Sequence, residues 1–310
     1  MKGNIRVFCR VRPLLPVELR RGVEGGGVDV SSYPAEGEVR LAVDDTGATH
    51  KRFEFDDVFA PGTDQEGVFK PVAPLVTSVL DGFNVCIFAY GQTGSGKTHT
   101  MCGEGEGDGA GVNTRAVLAL FERMKEADAG AWSYSVGVSM LEIYNETVRN
   151  LLTQEGGAAN PSASTGGLDI RVSPEGVIIP GLVTVPVTTA QECMAVMDRG
   201  AQGRAGGGHS MNERSSRSHL VVTLWVKGEK RSVGPPAAGA AAGKSSTSSP
   251  AIMTSRLHLI DLAGSERVSK TDASGARLKE AQAINKSLSA LGDVVAALAT
   301  QSRRTSTSGG

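Results

Sequence analysis

No run of about 18 apolar residues occurs in this chain of 310 residues, so no segment is long enough to cross a bilayer as a helix. The N-terminus, Met1 to Pro13, lacks the apolar stretch of a secretory signal. Cysteine is scarce. Cys9, Cys86, Cys102 and Cys193 are scattered and no two are spaced as CxxC, which argues against zinc and for a reduced, intracellular chain. Heptads are missing, so no dimerising coiled coil is encoded, and no internal repeat is visible. An excess of one charge sign is also missing. The net charge is −1 and the pI near 6.5, which gives no reason to expect nucleic acid as a partner. The only asymmetry is at the end: from Arg256 onward eight Lys/Arg stand against five Asp/Glu, +3, leaving −4 elsewhere. Such a bias matters if a partner surface is acidic.

What is present is a sizeable core, with 40% hydrophobic residues, enough for one large α/β domain or two small ones. Within it, Gly91 to Thr100, GQTGSGKTHT, fits the phosphate-cradling pattern of glycine, four residues, then Gly-Lys-Thr. The apolar run Asn84 to Tyr90 before it is expected to be a buried strand, and a helix can start after it. Glycines let backbone N–H groups turn toward phosphate oxygens, and a helix N-terminus adds a favourable dipole. Lys97 would reach the β- and γ-phosphates, and the Thr98 hydroxyl would face Mg²⁺.

Period-two and helical spacings order the rest. Strands are expected over 4–12, 220–226 and 257–262, with short ones in 177–187. Helices are expected over 112–128, 189–204 and about 276–300. Residues 67–80 have helical spacing despite two prolines, and 132–152 is expected to begin as a strand and end as a short helix. Gly-rich or low-complexity loops are expected at 21–28, about 103–111, 154–167 and 232–255, the last of these disordered. Strands alternating with helices around a phosphate loop imply an α/β domain on a central sheet.

Two further motifs narrow the chemistry. Asn212 to His219, NERSSRSH, puts hydroxyls beside an arginine ahead of a strand. The hydroxyls can ligate Mg²⁺ or hold a water, and the arginine can grip a carboxylate. Asp261 to Glu266, DLAGSE, ends an apolar strand, where an aspartate can hold the Mg²⁺ water shell and a glycine N–H can meet the γ-phosphate.

GQTGSGKTHTM, NERSSRSH and DLAGSE, in that order, resemble the phosphate loop and two switches of the kinesin motor domain. IRVFCRVRP, LEIYNETVRNLL and ARLKEAQAINKSLSALGDVVAAL resemble the same family, over about Lys2 to Thr300. KGNIRVFCRVRPLLP and GVNTRAVLALF look most like the C-terminal-motor kinesins, which mostly move toward microtubule minus ends. The resemblance implies a phosphate-loop NTPase with a central, mostly β sheet flanked by helices on both faces. It implies microtubule-stimulated ATP hydrolysis with ATP and Mg²⁺, on the microtubules of the cytoplasm.

The same resemblance assigns roles by residue. Arg10, Arg12 and Pro13 would line the adenine side, with His99 near the base. Gly91, Gln92, Thr93, Gly94, Ser95 and Gly96 would wrap the phosphates, with Lys97 and Thr98. Ser215 would hold the γ-phosphate and attacking water, and Ser216 the Mg²⁺. Arg217 would pair with Glu266 when the switches close, Asp261 would sit in the outer Mg²⁺ shell, and Gly264 would sense the γ-phosphate. Lys270, Lys279 and Lys286 are the candidates for contact with tubulin. His50 and His258 receive no role.

The chain also departs from the family pattern. After Ala299 it reads TQSRRTSTSGG, where a His-x-Pro-Tyr-Arg-like loop, a helix, a strand and a last helix are expected. Residues 1–300 are therefore expected to form a motor core incomplete at its C-terminus, with 301–310 a disordered tail. The absent strand would lie between the strand carrying Arg10 and the one entering the phosphate loop. A truncated module that binds nucleotide or microtubules without turnover is the alternative function.

Overall fold

Val136, Val138 and Met140 recur at every second position, as do Val222, Leu224 and Val226, and all six are buried. Such alternation makes half-buried strands with one apolar face. In the computed structural model, which describes residues 5–20, 29–44, 48–128, 132–152, 167–174, 176–205, 215–230, 251–266 and 275–307, these rows lie side by side in one sheet.

The described residues form two units, 1–68 with 288–310, and 69–287. The first unit holds strand β1 (Phe8–Arg10), helix α1 (Pro16–Arg20), strands β2 (Ser31–Ser32), β3 (Glu38–Ala42), β4 (His50–Glu54) and β5 (Asp57–Phe59), and the start of helix α2 (Gln65–Phe69). β1 pairs in parallel with β5, and β2, β3 and β4 form an antiparallel sheet.

The second unit continues with α3 (Ala73–Leu80), β6 (Val85–Ala89), α4 (Lys97–Met101), α5 (Val112–Asp128), β7 (Trp132–Tyr144), β8 (Thr147–Asn150), β9 (Arg171–Ser173), β10 (Gly176–Ile178), β11 (Val185–Val187), α6 (Ala190–Ala205), β12 (His219–Lys230) and β13 (Ile252–Asp261). The last helix, α7 (Ala276–Thr307), starts in this unit. The central sheet runs β11-β7-β12-β13-β6, with β8 hairpinned onto β7 and β9–β10 a separate ribbon. β6 is parallel to β13, while β7, β12 and β13 are antiparallel neighbours. Register aligns Met140, Val222 and Leu259, then Val138, Leu224 and Leu257, into apolar rows. Helices α3, α5 and α6 contact this sheet and one another, burying Val76, Val79, Val117, Leu120 and Val196. Each such side chain contributes about 2 kcal/mol by leaving water. Pro74 sits in the first turn of α3, where no N–H is needed, so the two prolines of 67–80 are accommodated.

Several expectations are corrected. The helix expected at the end of 132–152 is a second strand. Asn145 and Glu146 adopt φ of 49° and 60°, and that left-handed pair turns the chain back so that Val148 faces Ile143. The strand expected over 4–12 is confined to Phe8–Arg10 among the described residues. β12 and β13 extend further than expected, because Gly228 and Glu229 pair with Met253 and Ile252. Residues 252–255, expected within a disordered loop, are therefore strand. α7 passes the expected boundary at 300 and ends at Thr307. Residues 103–111 form a closed loop, with a 3-10 turn at Gly107–Gly109 and a bridge between Gly103 and Ala110. The loops expected at 21–28, 154–166 and 232–250 lie outside the described residues.

Candidate nucleotide site and its switch segments

The phosphate loop follows β6 directly, and Gly96, at φ +92°, ends it in the left-handed region that an L side chain resists. α4 starts at the next residue. Lys97 folds back and donates from Nζ to the carbonyls of Gly91 and Gln92, at 2.9 and 3.0 Å. Burial lowers its pKa, opposed by the nearby carboxylates of Asp261 and Glu266.

Parallel pairing of Asp261 with Ala89 brings the end of β13 beside the entry to the loop. Thr98 Oγ1 then donates to Asp261 Oδ2 at 2.7 Å. Asp261 is 2% exposed, and its Oδ1 is buried without a hydrogen-bond partner. Burial raises the Asp261 pKa, opposed by the Thr98 hydrogen bond and by Arg204 and Lys97. A hydroxyl next to an orphaned carboxylate oxygen is an oxygen donor set suited to Mg²⁺ with its waters. The residues present fit that ion.

The segment after Asp261 is tied down by consecutive amides. Ala263 N–H donates to His219 Nδ1 at 3.1 Å, Gly264 N–H to the Ser216 carbonyl at 2.7 Å, and Ser265 N–H to the Gly91 carbonyl at 3.1 Å. The Glu266 carboxylate accepts from Thr93 N–H at 2.9 Å and from Thr93 Oγ1 at 2.7 Å. Burial raises the Glu266 pKa, but the Thr93 hydrogen bonds, its own amide and Lys97 together bring it below the usual value. A Cβ on Gly264 would fall against Thr93 Oγ1 and the Glu266 carboxylate, so a larger residue would have to displace the Thr93–Glu266 contact.

The two switch segments thus meet each other and the phosphate loop, with two differences from expectation. Arg217 pairs with Glu280 on α7 at 2.9 Å, and Glu266 is held by Thr93. The Arg217–Glu266 pair expected on closure is not formed in this arrangement. The Gly264 N–H, expected to face a γ-phosphate, is engaged by Ser216. Of the other expected residues, Gly94 and Ser95 lie in the loop ahead of α4, and His99 is 3.4 Å from Glu104 near the surface. Arg10, Arg12 and Pro13 belong to the first unit. There Arg10 donates to Gln65 and to the Thr63 carbonyl, and Arg12 grips Glu18 while also reaching the Pro13 carbonyl. Lys279 and Lys286 are exposed on α7, with Lys286 paired to Glu146. Lys270 lies outside the described residues.

One buried group was not anticipated. Arg204, near the end of α6, reaches from Nη2 to the Ser215 carbonyl at 3.4 Å, the Ser218 carbonyl at 3.0 Å and Ser218 Oγ at 2.9 Å. Its Nε lies 3.6 Å from Glu142 of β7, whose side chain is 0% exposed. A carboxylate inside the apolar run Met140-Leu141-Glu142-Ile143 was the available signal, since charge in a buried strand calls for a partner.

A mixed central sheet flanked by helices, with a phosphate-loop motif after one strand and a buried aspartate at the end of its neighbour, defines the α/β phosphate-loop NTPase fold. Residues 10–307 match the family model described as the kinesin motor domain. The chain belongs to the kinesin family. It is 48% identical to kinesin-like protein KIN-14R of Oryza sativa subsp. japonica over 98% of its own length, and 46% identical to kinesin-like protein KIN-14G of Arabidopsis thaliana over 96%. The chain spans 28% of the length of these relatives. A solved structure of a fast kinesin aligns with TM-score 0.76 and 34% identity, covering 94% of this chain and 74% of that one.

Proposed function

We propose that this chain hydrolyses ATP with Mg²⁺, that microtubules stimulate the reaction, and that the coupling drives movement along cytoplasmic microtubules. The observation that carries the reading is the contact of Thr98 with Asp261, whose other carboxylate oxygen is left unpartnered between the phosphate loop and β13. The kinship with kinesins adds to it, and the aligned fast kinesin is itself described by its ATPase mechanism and its interactions with microtubules.

Thr98, Ser216 and Asp261 would hold Mg²⁺, the last through water. The ion would neutralise charge on the phosphates as the terminal bond breaks. The loop amides and Lys97 bind the phosphate chain. Lys97 exchanges the Gly91 and Gln92 carbonyls for phosphate oxygens. Ser215 orients the attacking water, and the protein contributes mainly positioning and charge stabilisation. Gly264 N–H leaves the Ser216 carbonyl when a γ-phosphate arrives, and Glu266 leaves Thr93 for Arg217. Those exchanges release Arg217 from Glu280 and so act on α7, whose exposed Lys279 and Lys286 would meet acidic tubulin, with Lys270 as a third candidate outside the described residues.

A second reading, binding without turnover, is favoured by one observation. β6, which delivers the phosphate loop, pairs only with β13 among the described strands, and Phe88 on it is 39% exposed. Steady-state ATP hydrolysis by the 310-residue chain, with and without microtubules, separates the two. Stimulation supports the motor. A folded chain that binds nucleotide and shows no stimulation refutes it in favour of the second reading.

A further inference from the structure

His219 is the first residue of β12 and is 6% exposed. Its Nδ1 accepts the Ala263 N–H at 3.1 Å, and Nε2 lies 2.8 Å from Ser287 Oγ on α7. Since Nδ1 accepts, the proton of the neutral ring is on Nε2, which donates to the serine. The Ser287 hydroxyl in turn donates to the Ile284 carbonyl at 2.7 Å. The result is a directional chain from a peptide N–H through an imidazole and a hydroxyl into the backbone of α7. It starts one residue before Gly264. Hydrogen bonds in series polarise one another, and buried ones hold their geometry.

We propose that His219 and Ser287 are positioning residues that transmit the setting of the Asp261–Glu266 turn to α7. This goes deeper into the motor reading and rests on it. Arg217–Glu280 joins the same helix to the first switch, but at the half-buried surface. The His219 chain is a second connection, and its imidazole is buried. When the Ala263 amide shifts, His219 loses its acceptor contact, and the ring turns or follows. Either movement displaces the donor that Ser287 accepts.

The test uses the 310-residue chain and reads basal and microtubule-stimulated ATP hydrolysis. Ser287→Ala removes only the helix end of the chain and suits a helix better than serine does. We expect basal turnover to be unchanged and the stimulated kcat to fall about fivefold, as for the loss of one hydrogen bond of about 1 kcal/mol. Ser287→Thr, which keeps the hydroxyl, restores it. His219→Asn keeps an acceptor at the Nδ1 position and loses the reach to Ser287, so it matches Ser287→Ala, and the double variant is no worse than either. Wild-type stimulation in Ser287→Ala, or an additive double variant, overturns the proposal. If the wild-type chain itself shows no stimulation, the motor reading fails, and ¹⁵N-histidine NMR decides the link separately. An Nε2-protonated His219 whose signal moves in Ser287→Ala supports it, and an Nδ1-protonated ring overturns it.

Discussion

Replacing Arg204 by methionine would remove a guanidinium that lies 3.6 Å from the buried Glu142 carboxylate. The side chains are 11% and 0% exposed, so water cannot take over from either partner. At 3.6 Å the contact is a charge pair without a good hydrogen bond, and its attraction is about 5 kcal/mol at an effective dielectric constant of about 20. Methionine also abandons the carbonyls of Ser215 and Ser218 and the Ser218 hydroxyl. Breaking one side of a buried pair costs about 3–5 kcal/mol, a large part of the 5–15 kcal/mol that holds a typical domain together. The expected result of Arg204→Met is a drop of about 4 kcal/mol in urea unfolding followed by circular dichroism, seen as a lower midpoint with an unchanged slope. Glu142→Gln on the same background removes the carboxylate charge that Arg204 faced and recovers about half of the loss, the signature of coupling between the pair. A single variant within about 1 kcal/mol of wild type, or a double variant no more stable than Arg204→Met, would refute the reasoning.

Other outcomes follow from the same geometry. Lys97→Ala removes the cation at the phosphate loop, and ATP turnover is expected to fall at least about a hundredfold in a steady-state assay. Gly264→Ala places a methyl group against Thr93 and Glu266. Fluorescent-nucleotide titration is expected to show binding retained, with microtubule stimulation lost. Burial, with Arg204 and Lys97 nearby, depresses the His219 pKa from 6.5 to about 4. The unfolded chain therefore binds the extra proton first. The stabilisation of about 3 kcal/mol is complete above pH 6.5 and lost as pH falls toward about 4. Asp261, with a raised pKa, contributes with the opposite sign in acid. The informative quantity is thus the difference between wild type and His219→Asn across this window, and a flat difference would contradict the burial of His219.

The parts of the site that a sequence shows well are those where backbone chemistry demands particular residues at fixed spacing. Gly96 must be left-handed, Lys97 and Thr98 follow on the next turn, and Asp261 ends an apolar strand. These positions were readable, as were α5 and α6 from their helical periods. Contacts made across the sheet were less visible. Glu142 and Arg204 lie on different elements, and only the burial of both reveals the pair. Ser287 is an ordinary helix residue until β12 and α7 bring His219 to it. The Asn145–Glu146 turn was missed because Thr147 to Leu152 has enough apolar residues for a helical turn. Pairing with β7 outweighs that local preference. The choice of Glu280 over Glu266 by Arg217 was not readable either, since both glutamates carry the same charge and only distance separates them.

Ala263, Gly264 and Ser265 are neighbours in sequence, yet their amides hold three different parts of the molecule: the start of β12, the Ser216 carbonyl and the phosphate loop. Rotating this short stretch of backbone cannot release one of them and keep the others. A displacement of the turn as a unit therefore breaks all three together, as a latch does. Partial displacement loses several hydrogen bonds of about 1 kcal/mol each before any replacement forms. A latch of that kind makes intermediate settings rare and gives a small ligand a discrete readout. The cost of displacing the turn is set by the sum of those bonds, so weakening any one of them is expected to make the displacement easier.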